Sequence, residues 1–155
     1  MSLDITATLK KSTIKCYDQC GTMYNTWSTE ERHRETNYDI DRVLDINITH
    51  NLTTMADHVP IRFMHKDIEV LTTLYRVMWH PEDIFVEMFQ QSEITLEDVT
   101  EPLTKGLNYL ISHENVLREY NPDNFWGSYN NLLHTLVEYV RACNNWPEAI
   151  IETNA

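Results

Sequence analysis

Apolar and polar residues alternate through Leu3, Ile5, Ala7 and Leu9, and again at Ile14 and Cys16, around Lys10, Lys11 and Ser12. A period of two sends every second side chain to one face of a sheet, so the pattern predicts two short strands joined as a hairpin. Periodicity is then lost over 18–39, a polar stretch carrying Gly21, Trp27 and the charge-rich run 29–36. It reads as a long loop with one helical turn, and a loop of that length within one domain serves either function or mobility. Alternation returns over Val43 to Ile48 and predicts a strand that delivers the chain to Thr49. The Thr49 hydroxyl is placed to cap a short helix over 50–58, with Leu52, Met55 and Ala56 facing the core.

Beyond Pro60 the period lengthens. Ile68, Leu71, Leu74, Tyr75 and Met78 recur at three- and four-residue steps, predicting a helix over 67–79 that His80-Pro81 stops. Pro81 with Glu82 and Asp83 opens another, whose buried stripe is Ile84, Phe85, Met88 and Phe89. Thr95 and Asp98 form a capping box ahead of Val99, Leu103, Leu107 and Leu110, and Pro102 is expected to kink or restart that helix. A further turn or two is predicted over 112–120, and Asn121-Pro122-Asp123-Asn124 is a turn in which proline fixes φ and Asx side chains cap the next helix. The clearest element is a helix over 125–144: Phe125, Tyr129, Leu132, Leu133, Leu136, Val137, Val140 and Cys143 on one face, Asn130, Asn131, Glu138 and Arg141 opposite. Pro147 prevents continuation, and 149–153 is short and β-branched enough for an edge strand. The whole is an α+β fold, mainly helical, with four to six helices packed on a small, mostly antiparallel sheet. The expectation is a single domain over 1–155, with a hairpin and long loop in 1–42 and the main body in 43–155.

Charge excludes one class of ligand. Twenty-four acidic against twelve scattered basic residues give a net charge of −12, which argues against nucleic acid, since phosphate neutralisation needs clustered Lys and Arg. It leaves plain solubility, or an acidic surface that occupies a nucleic-acid-binding protein. No apolar stretch approaches the length of a membrane helix and no basic segment with an apolar run opens the chain, so the expectation is a cytoplasmic protein without a membrane partner. Three cysteines in such a chain read as reduced thiols.

Chemistry concentrates in two stretches. Asn47, Thr49, His50 and Asn51 lie between apolar residues at a strand-to-helix turn, where polar groups must find partners and free helix amides favour an anion. Trp126 and Tyr129 offer stacking faces at the start of the long helix. Brought together, these six residues would bind a small polar or nucleotide-like molecule; kept apart, they would satisfy neighbouring backbone groups and fill the core. Cys16, Cys20 and His33 have poor zinc spacing and lack a fourth ligand, so no metal is assigned. No cofactor motif, no phosphate loop and no catalytic constellation is present in the sequence, and no catalytic residue is assigned.

The stretches 47–52 (Asn-Ile-Thr-His-Asn-Leu) and 126–129 (Trp-Gly-Ser-Tyr), with Pro-Glu-Ala-Ile-Ile at 147–151, resemble a scattered group of small phage and bacterial proteins with no established activity. The resemblance covers about two thirds of the chain, from Asp45 onward. It implies an intracellular protein, acting in the host cytoplasm if phage-encoded. Three functions stand as expectations: a non-catalytic binder of a small polar ligand, an acidic protein-interaction module or inhibitor of a host protein using the 18–39 loop and Trp27, and a metal-dependent hydrolase using histidines and carboxylates.

Overall fold

Leu3, Ile5 and Ala7 are fully buried, and the polar residues between them face outward, because strand β1 (Ser2–Thr8) is the middle of a sheet with one face on the core. The computed structural model describes residues 2–9 and 42–154. Strand β2 (Arg42–Thr49) runs antiparallel along one edge of β1, from Ser2 opposite Thr49 to Ala7 opposite Leu44. Strand β5 (Ile150–Asn154) runs antiparallel along the other edge, giving the order β2-β1-β5. The terminal edge strand expected at 149–153 is therefore present. The strand expected at 14–16, and the loop 18–39 with Trp27, Cys16, Cys20 and His33, lie outside the described residues.

A turn of 3-10 helix (His50–Leu52) and the short helix α1 (Thr53–Asp57) follow β2, and the Thr49 hydroxyl accepts from the Asn51 amide at 3.3 Å. The predicted cap is thus correct, but the helix is broken into two short pieces. The helix expected over 67–79 is a larger departure. Strands β3 (Pro60–His65) and β4 (Ile68–Thr73) form an antiparallel hairpin through Lys66 and Asp67, both at positive φ (48° and 65°), and only then does helix α2 (Leu74–Trp79) begin. Ile68 and Leu71, read as core positions of a helix, are 54% and 68% exposed on the hairpin.

A π-helical turn over Asp83–Met88 follows Pro81. Its wider winding buries Ile84 and Phe85 but turns Met88 out to solvent, against the expected stripe. Helix α3 (Leu96–Ser112) passes through Pro102 without interruption, where a kink or restart was expected. Its start is well tied: Asp98 accepts from the Thr95 amide at 2.9 Å, while the free amides of Leu96 and Glu97 donate to the carbonyls of Ala149 and Pro147. The last strand and the start of α3 therefore hold each other, and Ile151 adds a bond to the Ile94 carbonyl at 2.8 Å.

Helix α4 (Glu114–Leu117) and a 3-10 turn (Arg118–Tyr120) lead to the turn at 121–128 and then helix α5 (Tyr129–Asn145), which packs against α3 and across β2. Tyr129, Leu132, Leu136, Tyr139, Val140 and Cys143 are its buried face. The helix begins four residues later than predicted, because Ser128 caps it by accepting from the Asn131 amide. Phe125, expected in the core, is consequently in the turn and 95% exposed. The architecture is α+β, helices packed on small antiparallel sheets.

Candidate functional site

The two stretches do meet. Gly127 sits against the end of β2 at φ 94°, so close that a β-carbon built on it would lie 2.7 Å from the Thr49 γ-methyl and 3.1 Å from Leu52 Cγ. No larger residue fits this approach without displacing its neighbours, and few would adopt the backbone angle. Beside the contact lies an open notch of about 230 Å³, lined by Asn47, Ile48, Thr49 and Leu52 on one side and Gly127, Asn131 and Thr135 on the other. None of these side chains is charged, so the notch can donate and accept neutral hydrogen bonds but offers nothing to fix an anion.

The six expected residues divide. Asn47 and Thr49 line the notch. Asn47 is already engaged across the sheet, its amide donating to the Ser2 hydroxyl at 2.9 Å and to the Asp4 carboxylate. Asn51 is exposed and contributes the amide that Thr49 caps. His50 is half-buried, and its Nε2 is buried with no hydrogen-bond partner among the described residues. Neither His50 nor Asn51 lines the notch. Because a three-residue 3-10 turn and a five-residue helix stand where one longer helix was expected, the anion-binding helix start is also absent here.

Tyr129 is a correction. It is 1% exposed, and its hydroxyl donates to the Leu110 carbonyl, one of the last-turn carbonyls of α3 that has no partner within its own helix. Burial raises its phenol above the ordinary range, with the Glu114 carboxylate adding and the Arg118 guanidinium, 4.8 Å over the ring, opposing. Tyr129 is a core strut and offers no stacking face. Trp126, in contrast, is 70% exposed, next in sequence to a residue of the notch.

Sequence reasoning misses Gly127, Asn131 and Thr135 as lining, and misses the display of Phe125. The helical pattern puts Asn131 on the solvent side of the long helix, which is where it is; the notch is at the rim of the helix rather than under it. The turn itself is firmly built. The Asn121 side chain accepts from the Tyr129 amide at 2.8 Å, the Asn124 side chain accepts from the Trp126 amide at 3.0 Å, and the Ser128 hydroxyl donates to Asn131 at 2.8 Å. Phe125 is held at φ 63°, a conformation that bulky side chains seldom take.

Elsewhere, His65 donates from Nε2 to the Gln91 side chain at 2.6 Å, and Gln91 donates to Asp98, the carboxylate that caps α3. His58 stacks on Tyr120 with ring centroids 4.0 Å apart. The histidines thus serve separate elements, and among the described residues no three metal-ligating side chains gather.

No protein-family model, curated protein or solved structure matches the chain.

Proposed function

We propose that this chain is an acidic protein-interaction module that engages its partner through the turn carrying Phe125 and Trp126. The observation that carries this reading is that two adjacent large aromatics, 95% and 70% exposed, are presented by a turn that Asn121, Asn124 and Ser128 pin in place. Leaving such side chains in water forgoes about 1.5 to 3 kcal/mol for each that could be buried, and positive φ at Phe125 costs about 1 to 3 kcal/mol more. A rigid exposed aromatic pair is the form that binding hot spots take, because its ordering entropy is spent before the partner arrives. The net charge of −12 suits a partner with a basic rim.

The test is site-specific photocrosslinking in the cells that make the protein, with benzoylphenylalanine at position 125 and, separately, at Ile111, which is 61% exposed but outside the turn. The expected result is one discrete adduct from position 125, none from position 111, and loss of the adduct when Trp126→Ala is added. No adduct at 125, or the same adducts from both positions, overturns the reading.

A second reading, a non-catalytic site for a small polar molecule, is favoured by the neutral hydrogen-bonding lining of the notch. Its size is below the usual range of about 300 to 1,000 Å³ for ligand pockets, which ranks it second. Uncharged nucleosides and monosaccharides titrated in an NMR experiment should then shift the Gly127 and Thr135 amides, and unmoved signals across the panel remove this reading.

A further inference from the structure

Helix α2 stops at Trp79 because Pro81 disfavours the helical conformation for the residue before it, and His80 accordingly takes φ −136° and ψ 51°. The break decides where its imidazole goes. In a continuous helix, residues five positions apart lie about 140° around the axis from one another and face away. Here the Tyr75 hydroxyl and His80 Nε2 are 2.8 Å apart. Backbone bonds hold the turn on both sides: the His80 amide donates to the Arg76 carbonyl at 3.0 Å, and the His80 carbonyl accepts from the Asp83 amide at 3.1 Å. The phenol ring is held too, stacked on the buried Trp79 with centroids 5.8 Å apart and edge-on to the His80 ring at 5.2 Å.

A third group sets the direction of the hydrogen bond. Glu82 Oε1 lies 3.8 Å from His80 Nδ1. A carboxylate there favours a proton on Nδ1, which leaves the Nε2 lone pair to accept the phenol proton. Carboxylate, imidazole and hydroxyl thus stand in the order that activates a nucleophile, with the base in reach of the hydroxyl and oriented from its far side. The side chains of His80 and Glu82 are 40% and 48% exposed and Tyr75 is half-buried, so a reagent can approach. Charge narrows the class of reagent. Asp83 already counters the Arg76 guanidinium at 3.4 Å, and Glu82 therefore opposes a phosphoryl donor, which carries negative charge, but not a neutral ester.

We propose that Tyr75 is a nucleophile activated by His80 and accepts an acyl group from an activated carboxylic ester. The Tyr75 oxygen attacks the ester carbonyl carbon as His80 Nε2 takes the phenol proton. The bond from that carbon to the alcohol oxygen breaks, the alcohol leaves with the proton from Nε2, and Tyr75 is left esterified. Nothing is oxidised or reduced. The proposal shares no residue with the turn carrying Phe125 and Trp126 and does not rest on it.

The experiment treats the full chain with p-nitrophenyl acetate and, separately, with p-nitrophenyl phosphate, which has the same leaving group, and maps the modified peptides by mass spectrometry. Of the eight tyrosines, Tyr75 should be acetylated at least about tenfold faster than any other, and none should be phosphorylated. His80→Phe should slow that acetylation by about a hundredfold, the lower end of what a general base contributes, and Tyr75→Phe should abolish the initial burst of nitrophenol. Glu82→Gln should shift the proton from Nδ1 toward Nε2 in the imidazole nitrogen NMR signals and slow acetylation in step, with the melting temperature unchanged. Acetylation of Tyr75 no faster than that of the other tyrosines, a rate indifferent to His80→Phe, or phosphoryl transfer in place of acyl transfer overturns the proposal. The NMR signals of the unsubstituted protein decide it even if His80→Phe does not fold: a proton on Nε2 at neutral pH would make His80 the donor to Tyr75, and it could not then be its base.

Discussion

The γ-methyl of Thr49 closes on Gly127 so tightly that a β-carbon there would come within 2.7 Å of it. Two stretches nearly eighty residues apart are thereby locked, one bearing the cap of the 3-10 turn and the other the start of α5. Gly127→Ala should destabilise the protein by about 1 to 3 kcal/mol, through the clash and through the unfavourable φ of 94° together. Thr49→Ser keeps the capping hydroxyl and removes the methyl, so in that background part of the cost should disappear. Urea unfolding of the four proteins of this cycle checks it, and strict additivity would mean that the contact is not the cause.

Leu136 is fully buried in the middle of α5, where the helix meets the core. Leu136→Ala should cost about 2 to 5 kcal/mol, a large share of a domain's stability. Chemical denaturation measures it; a loss below about 1 kcal/mol, typical of surface sites, would contradict the packing of this face.

Tyr129→Phe removes one hydroxyl and leaves the ring in place. The Leu110 carbonyl at the end of α3 then loses the group that satisfies it, at a cost of about 1 to 3 kcal/mol. Binding through Phe125 and Trp126 should be unaffected, since the buried ring touches neither the notch nor solvent. A binding defect without a stability defect would restore Tyr129 to the site.

How far the sequence disclosed this arrangement depended on whether a local signal agreed with the tertiary one. Alternation in β1 and β2, the cap at Thr49, the box at Thr95 and the stripe of α5 were legible because each is a local consequence of burial on one face. The β3–β4 hairpin was not: Lys66-Asp67 is not a customary turn pair, and Ile68 and Leu71 fall by coincidence at helical spacing from Leu74 and Met78. Burial could not correct this, because those two side chains are exposed. The lining of the notch was half legible. Polar crowding marked Asn47 and Thr49, but whether Tyr129 faces a ligand or the Leu110 carbonyl depends on where α5 starts, and Ser128 moved that start by four residues.

Cys143 gives the fold an alkaline limit. Burial pushes its thiol up to about 11 from 9.0, with the Thr100 hydroxyl bond opposing. A raised pKa means that the folded state holds the proton more tightly, so this contribution is complete below pH 9 and is lost as pH rises toward 11. About 2 to 3 kcal/mol is at stake for a shift of this size. Buried Tyr139, also raised by burial, steepens the decline further up the scale. Melting temperatures measured from pH 8 to 11 should fall less steeply in Cys143→Ala than in the parent; parallel curves would show that the thiol does not titrate against the fold.

Phe125 offers the sharpest separation of stability from function. Its side chain is 95% exposed, so truncation removes almost no buried area, while its φ of 63° is one that asparagine tolerates far better. Phe125→Asn should therefore stabilise the protein by about 0.5 to 1 kcal/mol, against the usual direction of substitution at an aromatic position. A residue that weakens its own fold in this way is explained if the ring acts on another molecule. The same substitution should abolish partner engagement through the turn, measured as loss of the adduct from benzoylphenylalanine placed at position 126. Unfolding free energies decide the first half and crosslinking the second. Destabilisation by Phe125→Asn would mean that the ring is held by contacts of the fold itself, and the exposed turn would then lose its claim to be the binding surface.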